Sequence, residues 1–387
     1  MKTAYQTIGI DARFYGPVGK GLGRYTQEIV DRIIKLDQTN HYVIFLSKHN
    51  FKNFHCDGRR VRKVLADIQW YSLQEQLMMP WLIKRAGVEL MHFPHFNVPL
   101  FCPVKFVVTI HDLILTKYPT VRASRLSPLV YRLKNLAYKL VIWQAIKRSS
   151  RIITVSEFTK QDIINNFKIA SSKVVVTYEG VAVLTEHQQT RLDSDGAWQD
   201  LASRKAISKP YLLYVGNAYP HKNLEGLITI FKKLIKRHKL QLVLVGKMDY
   251  FYQRLQDLVT TNGFNQGPEP EIIFAGFVPD NDLDLLYRHA MLYVFPSFYE
   301  GFGLPPLEAM ARSCPVASSD QGSLPEILGE AVYYFNPHQK SQMLSQLETI
   351  ISNQSLRADL VIKGLTRIKL FDWQTCARET LVVYQQI

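Results

Sequence analysis

Short runs of β-branched and aromatic residues alternate with amphipathic runs of helical length, and they do so twice along the chain. In the first stretch Tyr5–Asp11, His41–Leu46, Leu90–Phe93, Phe106–Ile110 and Arg151–Val155 read as strands. Tyr25–Leu36, Ser72–Ala86, Ser127–Ser149 and Ser156–Asn166 read as helices. Strand, helix, strand in succession builds a parallel sheet covered on both faces. A polar stretch near Thr185–Lys209, with DSDG and few large apolar residues, interrupts the pattern. The alternation then restarts with strands expected at Tyr211–Val215, Gln241–Val245, Ile272–Phe274, Leu292–Phe295 and Val316–Ser318. Its helices are expected at Asn223–His238, Tyr250–Asn262, Asp282–Ala290 and Leu304–Arg312. The restart does not repeat the first half's sequence, so the chain is no solenoid. At 387 residues it is also too long for one compact core. The expectation is an α/β protein with two doubly wound domains facing across a cleft. Residues 1–185 form the first domain, 186–209 a linker and 210–370 the second, with a last helix in 371–387 packing back on the first. Ligands of such sheets bind at the carboxyl ends of the strands.

Charge narrows the choice of partner. The formal net charge is +14, and residues 1–185 carry 27 Lys/Arg against 12 Asp/Glu, or +15. Residues 186–387 carry 20 against 21, or −1. The excess points to an anionic partner or surface on the first half, with a solubilising coat as the plainer alternative. Residues 121–152 are basic and aromatic, and fit either an anionic membrane surface or a core helix with a solvated basic face. No nucleic-acid reader motif accompanies the charge, so nucleic acid is not an expected partner. Cys56, Cys102, Cys314 and Cys376 show neither a disulfide framework nor zinc spacing. The N-terminal MKTAYQTIGIDARF lacks the apolar core of a signal peptide, and no apolar run reaches the ~18 residues of a spanning helix. A cytoplasmic location, at most peripheral on the inner face of the cell membrane, is expected.

Four constellations carry chemistry. GPVGKGLGRYT, residues 16–26, places Gly19, Gly21 and Gly23 between a strand and a helix, where backbone can approach an anion, with Lys20 and Arg24 beside it. Its spacing fits neither a dinucleotide fingerprint nor a P-loop. VVTIHDLIL, residues 107–115, puts His111 and Asp112 just past a strand; His111 can be structural or can bond a substrate hydroxyl, and Asp112 can cap a turn. YVGNAYPHKNLEGLI, residues 214–228, sets Lys222 at a helix mouth, where dipole and ammonium together favour a phosphate, and Asn223 as the helix cap. FYEGFGLPPLEAM, residues 298–310, holds Glu300 in a loop and Glu308 inside the helix that Pro305 and Pro306 open. Were the eight steps between them all helical, the two carboxylates would stand roughly 12 Å apart. Glycosidase pairs need roughly 5–9.5 Å, so two contacts on one long ligand fit better than a two-acid hydrolase. The acidic run Asp280–Asp284 precedes a helix, where capping and dipole explain it, and no metal site is expected.

Taken together, GLGRYT, the HDL after a strand, GNAYPHKNL, LVLVGK, AGFVPDNDLDLLYRHA and FPSFYEGFGLPPLEAMARSCPVASSDQGSLPE resemble the retaining glycosyltransferases of family 4, bacterial mannosyltransferase-like members in particular. The resemblance implies two Rossmann-like domains facing across a cleft, the fold called GT-B. It implies a metal-independent transfer of a hexose, with mannose favoured, from a nucleotide-diphosphate sugar. The acceptor would be a saccharide or lipid-linked saccharide in surface polysaccharide synthesis. No cofactor is implied beyond the GDP- or UDP-linked co-substrate. Glu308 would bond the ribose hydroxyls and Glu300 would face the sugar. Backbone of Phe302, Gly303 and Leu304 would lie near the sugar and diphosphate. Lys222 would neutralise the diphosphate, Gly21 would let the first domain close on it, and His111 would touch the donor sugar. The base would rest on backbone around Gly276–Val278. Asn217 stands where many relatives carry a donor-binding arginine, leaving His221, Lys247 or Arg24 to substitute. A GT-B epimerase, or a binding protein that lost catalysis, shares the architecture and is the alternative.

Overall fold

The structure, a computed structural model, describes residues 5–16, 20–56, 58–118, 128–183, 185, 190 and 195–387. The chain divides into two compact units, Met1–Gly180 with Asp372–Ile387, and Val181–Phe371.

The first unit is built on strands β1 (Thr7–Asp11), β2 (His41–Leu46), β3 (Val61–Leu65), β4 (Leu90–Phe93), β5 (Lys105–Ile110), β6 (Arg151–Thr154) and β7 (Val174–Val176). They pair in parallel in the order β3-β2-β1-β4-β5-β6-β7. Its longer helices are α1 (Lys20–Leu36), α2 (Leu73–Arg85), α3 (Pro128–Arg148) and α4 (Glu157–Phe167). Central strands such as HYVIFL and KFVVTI are buried along nearly their whole length, because helices cover both faces of a parallel sheet. Ser72 and Ser156 start α2 and α4 by accepting from the N–H of Glu75 and Thr159.

The second unit carries β8 (Tyr211–Val215), β9 (Gln241–Val245), β10 (Ile272–Gly276), β11 (Leu292–Phe295), β12 (Val316–Ser319) and β13 (Tyr333–Phe335), all parallel, in the order β10-β9-β8-β11-β12-β13. Its longer helices are α5 (Asp195–Arg204), α6 (Leu224–Leu234), α7 (Tyr250–Thr261), α8 (Asp280–His289), α9 (Leu304–Ala311), α10 (Lys340–Ser352) and α11 (Gln354–Arg367). A final helix, α12 (Trp373–Gln385), capped by Asp372, belongs to the first unit and packs on α1. In both sheets the order reverses once, between β1 and β4 and between β8 and β11. A doubly wound sheet leaves its crevice at such a reversal.

Three differences from the sequence-based expectation have physical reasons. The linker expected over 186–209 carries α5, whose Leu201 is buried and whose Trp198 stacks on His289 at 4.2 Å; few apolar residues suffice when one leucine and one indole find partners. Gly21 and Gly23, expected in a loop, lie in the first turns of α1. A Cβ on Gly23 would meet the carbonyl oxygens of Gly16 and Phe14 at 2.1 and 2.6 Å, so that glycine serves close packing, while one on Gly21 would meet nothing within 4 Å. Asn223 precedes α6 in a left-handed conformation and its side chain does not cap the helix. Residues 17–19 of the glycine motif and 121–127 of the basic aromatic stretch lie outside the described residues.

Candidate active site

In the second unit the reversal point falls between β8 and β11, and the loops leaving their carboxyl ends carry most of the candidate residues. The chain leaves β8 through Gly216 and Asn217, and Pro220–Lys222 form a single 3-10 turn. It leaves β11 through Pro296 and runs to Gly303. The Phe298 N–H donates to the His221 carbonyl at 2.7 Å, which ties the two loops together. The tie brings Lys222 Nζ to 2.6 Å from Glu300 Oε1, with side chains only 13% and 9% exposed. The ammonium also lies 5.5 Å from the centre of the Phe295 ring. Sequence reasoning named both residues but did not foresee that they pair.

Gly303 ends the loop at φ +105°, a region that glycine reaches freely, and α9 begins at Leu304. Pro305 and Pro306 suit a first turn because the N–H they lack would be unpaired there anyway. Of the first three residues of that turn, Leu304 keeps its N–H, and Lys222 adds a positive charge beside it. The Phe302 side chain is buried edge-on against Phe371, so it is Phe302's backbone that faces the loop. Glu308 sits one turn into α9, where the Tyr287 hydroxyl donates to its Oε2 at 3.3 Å.

A group of contacts that sequence reasoning missed holds this edge in shape. Ser323 donates from its hydroxyl to the carbonyls of Glu300 and Phe302, at 3.2 and 3.0 Å. Beside it, a Cβ on Gly322 would fall 2.8 Å from the Glu300 carbonyl oxygen. Four buried tyrosines act from below. Tyr214 donates to the Asn217 carbonyl at 2.7 Å, Tyr252 to Gly216 at 2.9 Å, Tyr293 to Val215 at 3.3 Å, and Tyr287 to Glu308. Burial pushes the phenols of Tyr214, Tyr287 and Tyr293 well above their ordinary pKa, so they remain neutral donors. The Asn217 amide oxygen accepts from Tyr219 N–H at 3.3 Å and so shapes its own turn. Burial first, and then the Lys222 charge, lower the pKa of His221 to about 4, so its imidazole is neutral at pH 7 in this site.

His111 and Gly21 belong to the first unit. His111 follows β5, with its Nε2 2.9 Å from the Pro94 carbonyl and its Nδ1 3.1 Å from Glu179 Oε1. Burial alone would lower its pKa, but the Glu179 hydrogen bond and charge, helped by Pro94, outweigh that and raise it above 6.5. Both ring nitrogens then donate, and the imidazolium form is the one the site favours. Asp112 accepts from the Ile114 N–H at 2.9 Å, as a turn cap does. At the β1–β4 reversal, fully buried Arg13 bridges Asp11 and Glu75 at 2.6 and 2.5 Å, a network that sequence reasoning did not find. Among the described residues no cluster of His, Cys, Asp or Glu is arranged to hold a metal.

Comparison with known proteins points to one class of enzyme. A family model described as glycosyl transferases group 1 matches residues 200–367, and one described as Glycosyltransferase Family 4 matches residues 19–183. The chain is 27% identical to O-antigen chain mannosyltransferase B of Escherichia coli, over 94% of this chain and 96% of that one. It is also 27% identical to O-antigen chain mannosyltransferase RfbU of Salmonella typhimurium, over 74% and 71%. Among solved structures, sucrose-phosphate synthase from Thermosynechococcus elongatus superposes with TM-score 0.75 at 18% identity, covering 98% of each chain. HepE of Anabaena, solved with UDP and glucose, superposes with TM-score 0.71 at 16% identity, covering 99% of this chain and 100% of that one. The protein is a glycosyltransferase of the GT-B fold. Within that class it is related to the bacterial mannosyltransferases of family 4.

Proposed function

We propose that the protein is a retaining hexosyltransferase that moves mannose from a nucleotide-diphosphate sugar to a saccharide or lipid-linked saccharide acceptor in surface polysaccharide synthesis. The observation that carries this reading is the Lys222–Glu300 pair at the β8–β11 reversal, followed along the same loop by Gly303 and Glu308. That order suits one extended ligand, with sugar at Glu300, diphosphate at Lys222 and the backbone of Phe302, Gly303 and Leu304, and ribose at Glu308. Two curated relatives are named as O-antigen mannosyltransferases, which supports mannose and a polysaccharide product. A solved neighbour is described with UDP and glucose, so both GDP- and UDP-linked donors belong in the assay.

In the resting site Glu300 holds the Lys222 ammonium through one oxygen. The arriving diphosphate shares that ammonium, and Glu300 keeps its second oxygen for a sugar hydroxyl. As the bond from sugar to diphosphate breaks, negative charge grows on the leaving phosphate, and Lys222 with the α9 N-terminus stabilises it. The acceptor hydroxyl attacks the oxocarbenium-like sugar from the same face and gives its proton to the leaving phosphate. Gly21, where a Cβ would meet open space, leaves room for the donor to approach. His111 keeps the donor-sugar contact that the family resemblance implies. Asn217 contributes through the backbone turn it shapes. The test is transfer from GDP-mannose, UDP-glucose and related donors, with the product's anomeric configuration read by NMR. An inverted product, or transfer undiminished in both Lys222→Ala and Glu308→Ala, overturns the reading.

A further inference from the structure

Two neighbouring helices of the first unit expose large apolar residues and cations but no carboxylate. α2 and α3 cover the same face of the seven-stranded sheet, since Met79 and Ile83 of one and Ile142, Ala145 and Ile146 of the other join one buried cluster. Their outer sides are apolar as well. On α2, Leu73, Leu77 and Trp81 are 85%, 77% and 54% exposed, and their spacing of four aligns them in one stripe. On α3, Leu136, Leu140 and Trp143 form a second stripe, each about half exposed or more.

The loop after β4 joins the stripes. The Leu100 N–H donates to Gln76 of α2 at 2.8 Å, and its carbonyl accepts from Gln144 and Arg148 of α3 at 3.3 and 2.5 Å. Phe101, next along, is 77% exposed. Exposed cations surround this surface: Lys84 and Arg85 on α2, and Arg132, Lys134, Lys139, Lys147 and Arg148 on α3. The only carboxylate in either helix, Glu75, is buried against Arg13. A two-fold contact between copies of the chain would set these cations against each other, which disfavours self-association. Leucine, tryptophan and phenylalanine inside a basic rim fit an anionic lipid interface, where apolar side chains enter the headgroup–acyl boundary and cations meet phosphates. Among the described residues no helix is long and apolar enough to cross a membrane, so the contact is one of lying on the surface.

We propose that the surface formed by α2, Phe101 and α3 docks the first unit on an anionic phospholipid bilayer. The proposal deepens the reading of a lipid-linked acceptor given above, since such an acceptor is held in that bilayer. The test is co-flotation of the full chain with phosphatidylcholine vesicles made with and without phosphatidylglycerol. Flotation with the anionic vesicles and not with the neutral ones is expected. Lys134→Ala/Lys139→Ala should lower partitioning roughly 25-fold, at about five-fold per cation. Leu136→Ala/Leu140→Ala should lower it roughly tenfold or more, and to the same degree at high salt. All four positions are exposed, so melting temperature and transfer to a short soluble acceptor should match the parent chain. Flotation of both variants with unchanged partitioning overturns the proposal. So does failure of the parent chain to bind anionic vesicles, or a sedimenting dimer that the leucine pair abolishes. A chain that floats as expected but transfers no sugar from any donor upholds the docking surface and overturns the functional reading instead.

Discussion

Cutting the Lys222–Glu300 pair separates what it does for the fold from what it does for the ligand. The two charges stand 2.6 Å apart, and Glu300 as a residue is 7% exposed. Its backbone carbonyl accepts from the Ser323 hydroxyl and lies against Gly322. Lys222→Ala leaves that carboxylate buried and unpaired, a change that costs about 3–5 kcal/mol. Glu300→Gln should cost less, about 1–3 kcal/mol, because the amide oxygen still accepts from the ammonium. The double variant should recover part of the loss, with a coupling of about 1–3 kcal/mol. Urea unfolding of the full chain reads these values, provided that the transition of the second unit is followed if the two units melt separately. Nucleotide-sugar titration of the same variants reads the ligand side. Losing a charge-assisted contact of about 1.5–3 kcal/mol should weaken donor binding roughly 10- to 150-fold in Lys222→Ala. Single effects that add to within about 0.5 kcal/mol would refute the coupling. Parent-like donor affinity in Lys222→Ala would refute the diphosphate role.

The alternation of strands and helices was legible because central strands of a parallel sheet are buried on both faces and read as unbroken apolar runs. The strands that escaped notice are β3, β7 and β13, and all three are edge strands. VRKVL at β3 carries exposed residues and two cations, as an edge does, and so lacks that pattern. At the site, residue type and local context located Lys222, Glu300 and Glu308, because a lysine at a helix mouth and prolines opening a helix are local features. Their pairing was not legible, since the distance between Lys222 and Glu300 depends on a backbone bond from Phe298 to His221, 77 positions apart in the chain. The tyrosines beneath the loops read as ordinary strand and helix aromatics, because only the fold decides where a hydroxyl ends. Ser323 lay inside the quoted motif, yet a serine beside a glycine carries no mark of the carbonyls it will meet.

His111 predicts a pH dependence. Its folded pKa is raised, so its bond to Glu179 contributes stability that is full below the ordinary value near 6.5 and is lost as pH rises through the folded pKa. The difference in melting temperature between the parent chain and Glu179→Gln should therefore shrink from acid to alkaline pH, and a gap that widens would contradict the assignment. Gly303→Ala places a Cβ 2.8 Å from Leu324 Cδ2 at φ +105°; it should cost about 1–3 kcal/mol, and an unchanged urea midpoint would show that the turn is free to relax. The last expectation concerns Tyr287, whose buried hydroxyl donates to Glu308. If Glu308 meets the ribose, the parent chain should bind a nucleoside diphosphate more tightly than its deoxyribose analogue. Glu308→Ala should abolish that preference, and Tyr287→Phe should reduce it several-fold while costing about 1 kcal/mol of stability. Equal weakening of both ligands in Tyr287→Phe would mean that the hydroxyl supports only the fold, and Glu308 would then have to be oriented by other contacts or serve another part of the ligand.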